Sequence, residues 1–132
     1  MARHNEIGRI GEEIAEKWLV SQKYHILERN YLKKYGEIDI VARETGGKVH
    51  FIEVKSVSHG TMHELDKSVS HGTSRPEENV HSEKQRSLGN TIESWLLERD
   101  YKGDWQIDII LVHLVTREKY AKVRCLWNVI FE

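Results

Sequence analysis

A chain of 132 residues with 39% hydrophobic and 31% charged residues has the composition of one ordinary globular domain, residues 1–132. A formal net charge of -1 at pH 7 excludes a protein that binds nucleic acid through overall basicity, so any such binding must be local. The single Cys125 excludes an internal disulfide, and we expect a buried, unreactive thiol. The N-terminus lacks the apolar segment of a signal peptide and no apolar run approaches ~18 residues, which predicts a cytoplasmic protein outside the membrane.

The first predicted element is an amphipathic helix over residues 6–20, where apolar residues recur every three or four positions. Beside its apolar stripe lies a strip of small residues: Gly8, Gly11 and Ala15. We expect another backbone segment to approach that strip closely. Glu12 flanks the strip, whereas the neighbouring glutamates project toward the polar face. Glu12 is therefore the carboxylate of this helix that would turn inward, unless it is an ordinary surface glutamate.

The remaining pattern predicts three strands, a second helix and two further strands. They are a strand at 24–32, a hairpin at 36–56, a helix at 82–99 and strands at 105–115 and 121–131, the last two joined by a turn at 117–119. The order αβββαββ predicts an α/β fold with a mixed central sheet flanked by helices. Residues 57–79 have little apolar periodicity, and the segment KSVSHGT at 55–61 recurs at 67–73, so we expect a mobile loop there.

The hairpin carries charges in strands that are otherwise apolar. A three-residue turn at Thr45-Gly46-Gly47 would place Glu44 opposite Lys48 and Asp39 opposite Glu53. Lys55 joins that pair because residues i and i+2 of a strand project to the same face. The other face is then apolar and would pack on a core: Ile38, Ile40, Ala42, Ile52 and Val54.

Two opposed carboxylates repel each other, so Asp39 and Glu53 need a compensating cation. One interpretation is a solvent-facing ion pair between Glu53 and Lys55, worth under ~1 kcal/mol and without function. The other is a divalent metal ion, because carboxylate oxygens suit Mg²⁺ or Mn²⁺, with Lys55 acting on a water molecule.

Motifs across nearly the whole chain resemble the YraN family, also called UPF0102. They are G-x-x-G-E-x-x-A at 8–15, GEIDIVA at 36–42, FIEVK at 51–55, Lys84-Gln85-Arg86, Ile-Asp at 107–108 and LWNVIF at 126–131. The spacing from Asp39 to Glu53 and Lys55 also resembles the metal site of the PD-(D/E)XK nuclease superfamily. The resemblance implies a restriction-endonuclease-like core, similar to archaeal Holliday-junction resolvases, and a Mg²⁺- or Mn²⁺-dependent hydrolase that cleaves phosphodiester bonds of DNA, branched DNA included.

Carried over by position, the resemblance implies a catalytic group of Glu12, Asp39, Glu53 and Lys55. The three carboxylates would hold the metal and the lysine would act on water. It also implies a nucleic-acid-binding set: Lys84, Gln85 and Arg86. Asp108 matches the family pattern without a stated role. By analogy with resolvases, two chains would pair as a homodimer.

Two departures from the family pattern imply weaker phosphate binding. Val57 and Ser87 stand where the family usually has basic residues. A second hypothesis is therefore a nucleic-acid-binding module of the same fold that cleaves poorly or not at all, and a third is a purely structural carboxylate cluster.

Histidines and tryptophans suggest two further functions that the sequence does not favour. The histidines in or beside the expected loop are His59, His63, His71 and His81. We expect them to be solvated, because chelating zinc with a disordered segment costs ordering entropy. The four tryptophans lie in apolar periodic segments, so we expect core positions for them instead of base-stacking positions: Trp18, Trp95, Trp105 and Trp127.

Overall fold

The computed structural model describes residues 2–59 and 82–130. The elements are helix α1 (Ala2–Ser21), strands β1 (His25–Lys33), β2 (Gly36–Arg43) and β3 (Val49–His59), helix α2 (Ser82–Glu98), and strands β4 (Trp105–Val115) and β5 (Tyr120–Leu126), with a short 3-10 helix (Thr116–Glu118) before β5. The predicted order and the α/β class are confirmed. Neither helix in these two ranges is long and apolar enough to cross a membrane.

The five strands form one mixed sheet in the order β1-β2-β3-β4-β5. Strands β3 and β4 are parallel over their full length, from Val49 beside Trp105 to His59 beside Val115. The other three neighbouring pairs are antiparallel. Because a parallel connection must cross the sheet, the chain between β3 and β4 has room for α2 on one face.

Both faces of the sheet are covered by a helix, so neighbouring residues of the central strands are buried on opposite sides. The cluster on the α1 face contains Ala15, Leu19, Ile40, Ala42, Ile52, Ile110, Val112 and Leu114. The cluster on the α2 face contains Ile38, Val41, Val49, Phe51, Leu88, Ile92 and Trp95. The expectation of a single apolar face on the hairpin was therefore wrong for Ile38, which packs on the α2 side while Ile40 packs on the α1 side.

The predicted three-residue turn of the hairpin is confirmed. The backbone N–H of Glu44 donates to the carbonyl of Lys48 at 3.0 Å, and Gly47 N–H donates to the Glu44 carbonyl at 2.8 Å. Gly47 has φ of 101°, a conformation that favours glycine, and such a residue is what a three-residue hairpin turn requires.

Two boundaries of strands in the structure differ from the predicted ones. Strand β3 runs on to His59, because residues 57–59 pair with β4, so the expected loop does not begin at Val57. The rest of that expected loop, residues 60–79, lies outside the described residues. Strand β5 ends at Leu126 instead of 131, because the chain then turns back and Val129 N–H donates to the Ile107 carbonyl at 2.7 Å.

Helix α1 sits close against β3 at one glycine. A Cβ atom placed on Gly11 would lie 1.7 Å from Ser56 Oγ, whereas one placed on Gly8 would meet nothing within 4 Å. The predicted close approach is confirmed at Gly11, and Ala15 is fully buried. It was wrong for Gly8. Since Glu12 follows Gly11 and Ser56 follows Lys55, this contact fixes the helix carboxylate relative to the strand lysine.

Candidate active site

Asp39 lies at the open end of the hairpin formed by β2 and β3. The predicted register is confirmed by four pairs, from Arg43 with Val49 to Ile40 with Ile52. Asp39 and Glu53 come next along their strands, beyond the last of these backbone pairs. At this point the Asp39 side chain, instead of the backbone, joins β2 to β3: its Oδ2 accepts a hydrogen bond from Val54 N–H at 2.8 Å. The carboxylate is thereby fixed where the backbone pairing of β2 with β3 stops.

The backbone is irregular at Asp39 on both of its neighbouring strands. In the pairing with β1, Arg29 lies beside Ile40 and Tyr31 beside Ile38, and the intervening residue Asn30 has φ of 52°. At the same step β2 changes which of its side chains face α1 and which face α2. A non-glycine residue with positive φ is uncommon and marks a local distortion, and such distortions aim side chains at functional sites. Asp39 therefore stands where the sheet departs from regular geometry.

Three other carboxylates act on Asp39. Burial raises the pKa of Asp39 to about 7, partly opposed by the hydrogen bond from Val54 N–H. The negative charges of Glu12, Glu53 and Glu37 raise this pKa further. Burial and the charge of Glu12 also raise the pKa of Glu37. The structure thus brings the three carboxylates predicted from the sequence into one electrostatic group, together with Glu37.

Two cations among the described residues pair with members of this group, a lysine and an arginine. Lys55 Nζ lies 3.7 Å from Glu53 Oε1, and the two side chains are only 18% and 12% exposed. Arg29 Nη2 lies 3.4 Å from Glu12 Oε1, and Arg29 Nη1 pairs with Glu16. Because Glu53 and Lys55 are largely buried, the interpretation of a solvent-facing ion pair between them was wrong.

These carboxylates fit a hard divalent cation. Their oxygens are the donors that Mg²⁺ and Mn²⁺ prefer, and a cation would offset the burial and the carboxylate repulsion that together raise the pKa of Asp39. Among the described side chains, at 6–59 and 86–130, no three acidic, histidine or cysteine groups are already arranged as a metal cage.

The predicted nucleic-acid-binding residues lie in the first turn and a half of α2. Arg86 is exposed there. The side chains of Lys84 and Gln85 lie outside the described residues. Ser87 is half-buried, and its carbonyl accepts a hydrogen bond from Thr91 Oγ1 at 2.7 Å.

Sequence reasoning missed two members of the site, Glu37 and Arg29. Glu37 lies two residues before Asp39 on the same strand, and its charge in an otherwise apolar segment is a signal that could have been used. Arg29 gave no such signal, because the face on which it lies depends on a bulge in β1 between Ile26 and Glu28. A bulge shifts the alternation of the strand by one residue.

Asp108 belongs to a separate buried cluster beneath the C-terminal segment. It is 0% exposed and accepts three hydrogen bonds: from His50 Nδ1 at 2.6 Å, Gln106 Nε2 at 2.7 Å and Asn128 N–H at 2.8 Å. Burial alone would lower the pKa of His50, but the hydrogen bond and charge of Asp108, helped by Glu44, raise it above its ordinary value. These three hydrogen bonds, from two strands and the C-terminal segment, account for Asp108 as a structural clamp.

The histidine and tryptophan expectations have mixed outcomes. His59 Nε2 lies 3.1 Å from His113 Nδ1, a contact between two strands that the sequence did not suggest. The other three loop histidines lie outside the described residues: His63, His71 and His81. Trp95 is a core residue at 2% exposure, but Trp105 and Trp127 are 43% and 44% exposed, so the core prediction was wrong for those two.

The thiol of Cys125 is half-buried and unpaired by any disulfide. Burial, followed by the charge of Asp108, raises its pKa to about 11. A thiol with a raised pKa is a poor nucleophile at neutral pH, which agrees with the unreactive role expected for it.

Comparison with known proteins gives a family. Residues 11–112 match the model of the uncharacterised protein family UPF0102. A UPF0102 protein of Thermotoga maritima is 40% identical over 101 residues, which are 76% of this chain and 81% of the relative. Relatives of the same description from Campylobacter fetus and Alkaliphilus oremlandii are 35% and 34% identical, and cover 92% and 95% of this chain and 90% and 97% of their own lengths.

Proposed function

Since this chain belongs to the uncharacterised protein family UPF0102, whose description states no activity, we propose a function from its site: metal-dependent hydrolysis of DNA phosphodiester bonds. The observation that carries the proposal is the group of carboxylates around the buried Asp39, with Lys55 beside it. The α/β architecture, with a mixed sheet between two helices, is compatible with a restriction-endonuclease-like core of the PD-(D/E)XK type.

The residues divide into those that would hold the metal and one that would act on water. Asp39, Glu53 and Glu12 would supply carboxylate oxygens, and Asp39 is already oriented by Val54 N–H. When bound, Mg²⁺ or Mn²⁺ would supply Lewis-acid chemistry, polarising the scissile phosphate and lowering the pKa of a bound water.

Lys55 would orient the attacking water and stabilise charge near it. Its ammonium is held 3.7 Å from Glu53, so it would stay close to the metal ligands throughout the reaction.

The substrate and assembly are parts of the same proposal. DNA is supported by the choice of carboxylates plus lysine, a set suited to phosphate chemistry, and by the exposed Arg86 on α2. Branched DNA and a homodimer follow from the resemblance to resolvases alone, and a cytoplasmic location also stays a prediction.

Isothermal titration of Mg²⁺ and Mn²⁺ into the wild type, Glu53→Gln and the exposed control Glu93→Gln tests the site. Linear, single-stranded and four-way-junction DNA are then incubated with the same preparations. We expect the wild type and Glu93→Gln to bind metal and cleave at least one substrate, and Glu53→Gln to do neither. Metal binding without cleavage would favour the DNA-binding module. Equal titrations of the wild type and Glu53→Gln would refute the metal site.

A further inference from the structure

We propose that Arg29 is a positioning residue that holds Glu12 in place for the candidate metal site. This inference rests on the proposed function. Arg29 lies on β1, outside the hairpin that carries Asp39 and Lys55, and reaches across to α1. No motif in the sequence marks it.

The bulge in β1 aims Arg29 at α1. Before the bulge, Ile26 packs on the α1 face of the sheet. In a regular strand Glu28 would share that face, because side chains alternate with a period of two. The register shift between Ile26 and Glu28 exchanges the two faces, so that Glu28 pairs with Arg99 after α2 and Arg29 pairs with α1. One extra residue thus delivers a cation to the helix that carries Glu12.

The arginine bridges two carboxylates one helical turn apart. Its Nη1 pairs with Glu16, while its Nη2 lies 3.4 Å from Glu12 Oε1. The Glu16 contact is the closer of the two, so it anchors the guanidinium, and the looser contact holds Glu12. A planar guanidinium with several donors suits this bridging, whereas a lysine ammonium is a single point charge.

The burial of the Arg29 guanidinium indicates that it contacts groups of the protein and not a substrate. The Arg29 side chain is 27% exposed, and its Nε is buried without a hydrogen-bond partner among the described residues. Leaving such a donor unpaired is costly, so the two carboxylates must offset that cost. An arginine meant to grip a phosphate would instead present its donors to solvent.

Residues that orient a metal ligand typically change metal affinity 10- to 100-fold when removed. Arg29 should act in this way through Glu12, because Glu12 also acts electrostatically on Asp39 and Glu37. Its loss would leave Glu12 free to swing away from the site while the strand ligands keep their places.

Mn²⁺ titration by calorimetry, with electron paramagnetic resonance of free Mn²⁺ as a second readout, tests this role without an activity assay. The variants are Arg29→Met and the control Arg9→Met. Arg9 lies on α1, the helix that carries Glu12; its side chain is 64% exposed, and among the described ion pairs it contacts only Glu13, at 3.7 Å. We expect Kd for Mn²⁺ to rise ~10-fold or more in Arg29→Met and to stay unchanged in Arg9→Met. If Arg29→Met does not fold, Arg29→Lys replaces it and should show a smaller rise.

A double variant separates positioning from general support of the fold. In a Glu12→Gln background, Arg29→Met should cause no further rise in Kd, because the residue it positions has lost its charge. An equal rise in both backgrounds would overturn the proposal, and so would an unchanged Kd in Arg29→Met. When the wild type binds Mn²⁺ and cleaves DNA, either of these two results overturns the role of Arg29 and leaves the proposed function standing. A wild type that binds no Mn²⁺ overturns the proposed function and this inference together.

Discussion

His50 and Asp108, on neighbouring parallel strands, are joined by a hydrogen bond of 2.6 Å between imidazole Nδ1 and carboxylate Oδ2. Both side chains are almost completely buried, at 3% and 0% exposure. The same carboxylate holds Asn128 N–H, and the rings of His50 and Trp127 are 5.9 Å apart and nearly perpendicular. This pair therefore fastens the C-terminal segment to the sheet.

Replacing Asp108 with asparagine should destabilise the protein by about 3 kcal/mol. The substitution removes the buried counter-charge of His50 and leaves only Glu44 among the described carboxylates, 3.3 Å away and 38% exposed, and breaking a buried ion pair from one side typically costs that much. Urea unfolding followed by tryptophan fluorescence measures the loss, with the exposed Asp104→Asn as the matched control. Equal unfolding midpoints for Asp108→Asn and Asp104→Asn would contradict the clamp.

The clamp should make stability fall at alkaline pH. The pKa of His50 is raised in the folded protein above its ordinary value of 6.5. Its contribution to stability is therefore complete below pH 6.5 and disappears as pH rises through the higher folded pKa. Melting temperatures of the wild type and His50→Gln should differ most below pH 6.5 and converge as pH rises through the folded-state pKa of His50. A difference that does not change with pH would show that the pKa of His50 is the same in the folded and unfolded states, which would contradict the clamp.

Neutralising Asp39 should stabilise the metal-free protein. The pKa of Asp39 is raised from 3.8 to about 7, so the folded state holds its proton more tightly and stability falls as pH rises between those two values. Asp39→Asn keeps an oxygen acceptor for Val54 N–H but removes the charge. At pH 8 we expect a gain on the order of 1–2 kcal/mol, or roughly 5 °C in Tm.

The matched control for Asp39 is Asp100→Asn, whose side chain is 85% exposed. Added Mg²⁺ should reverse the order, raising the Tm of the wild type and leaving that of Asp39→Asn unchanged. If Asp39→Asn were less stable than the wild type at pH 8 without metal, this would contradict the view that burial and the neighbouring carboxylates make the Asp39 charge destabilising.

Removing the ammonium of Lys55 should separate catalysis from metal binding. Lys55→Met is expected to reduce DNA cleavage at least ~100-fold while Kd for Mn²⁺ changes less than ~3-fold, because the lysine acts on water and is not a ligand. Lys102→Met, at 85% exposure, is the control. Full cleavage by Lys55→Met would remove the lysine from the mechanism.

Gly11→Ala should both destabilise the protein and weaken metal binding. The new methyl group would overlap Ser56 Oγ, forcing α1 away from β3 at a cost of about 1–3 kcal/mol. Gly8→Ala, on the same helix with open space around it, should be neutral or stabilising by up to ~1 kcal/mol. Ser56→Gly removes the overlapping atoms, so Gly11→Ala with Ser56→Gly should recover most of both losses. Thermal melts and Mn²⁺ titrations of the four proteins provide the test.

Local features of the sequence predicted the parts of the fold that local physics controls. Helix α1 could be predicted from its apolar period, and the hairpin register from the turn at Gly47 together with the alternation of β2 and β3. The register in turn predicted that Asp39 and Glu53 lie at one end of the hairpin. Each of these depends on residues close in sequence, where periodicity and turn geometry act directly.

The remaining features depend on tertiary geometry. Arg29 reaches α1 only because of a bulge, and Ile38 changes face only because the sheet is distorted at Asp39. The exposure of Trp105 and Trp127 depends on what the sheet leaves uncovered, and an apolar period does not contain that information. The role of Asp108 needed its three partners, two of which are on other strands or segments.

The bulge in β1 also affects how relatives should be compared. Glu28 and Arg29 are neighbours of opposite charge, and the bulge before them decides which one meets α1. If Leu27, the extra residue of the bulge, were deleted, Ile26, Glu28 and Arg29 would alternate regularly and Arg29 would still face α1. A strand that kept Leu27 but lost the bulge would instead turn Glu28 toward Glu12 and Glu16, and like charges would meet. An alignment that misplaces a single gap in this strand would therefore assign the cation to the wrong side of the sheet. The length of β1 and the presence of its bulge must therefore change together if the cation is to stay on the α1 side of the sheet.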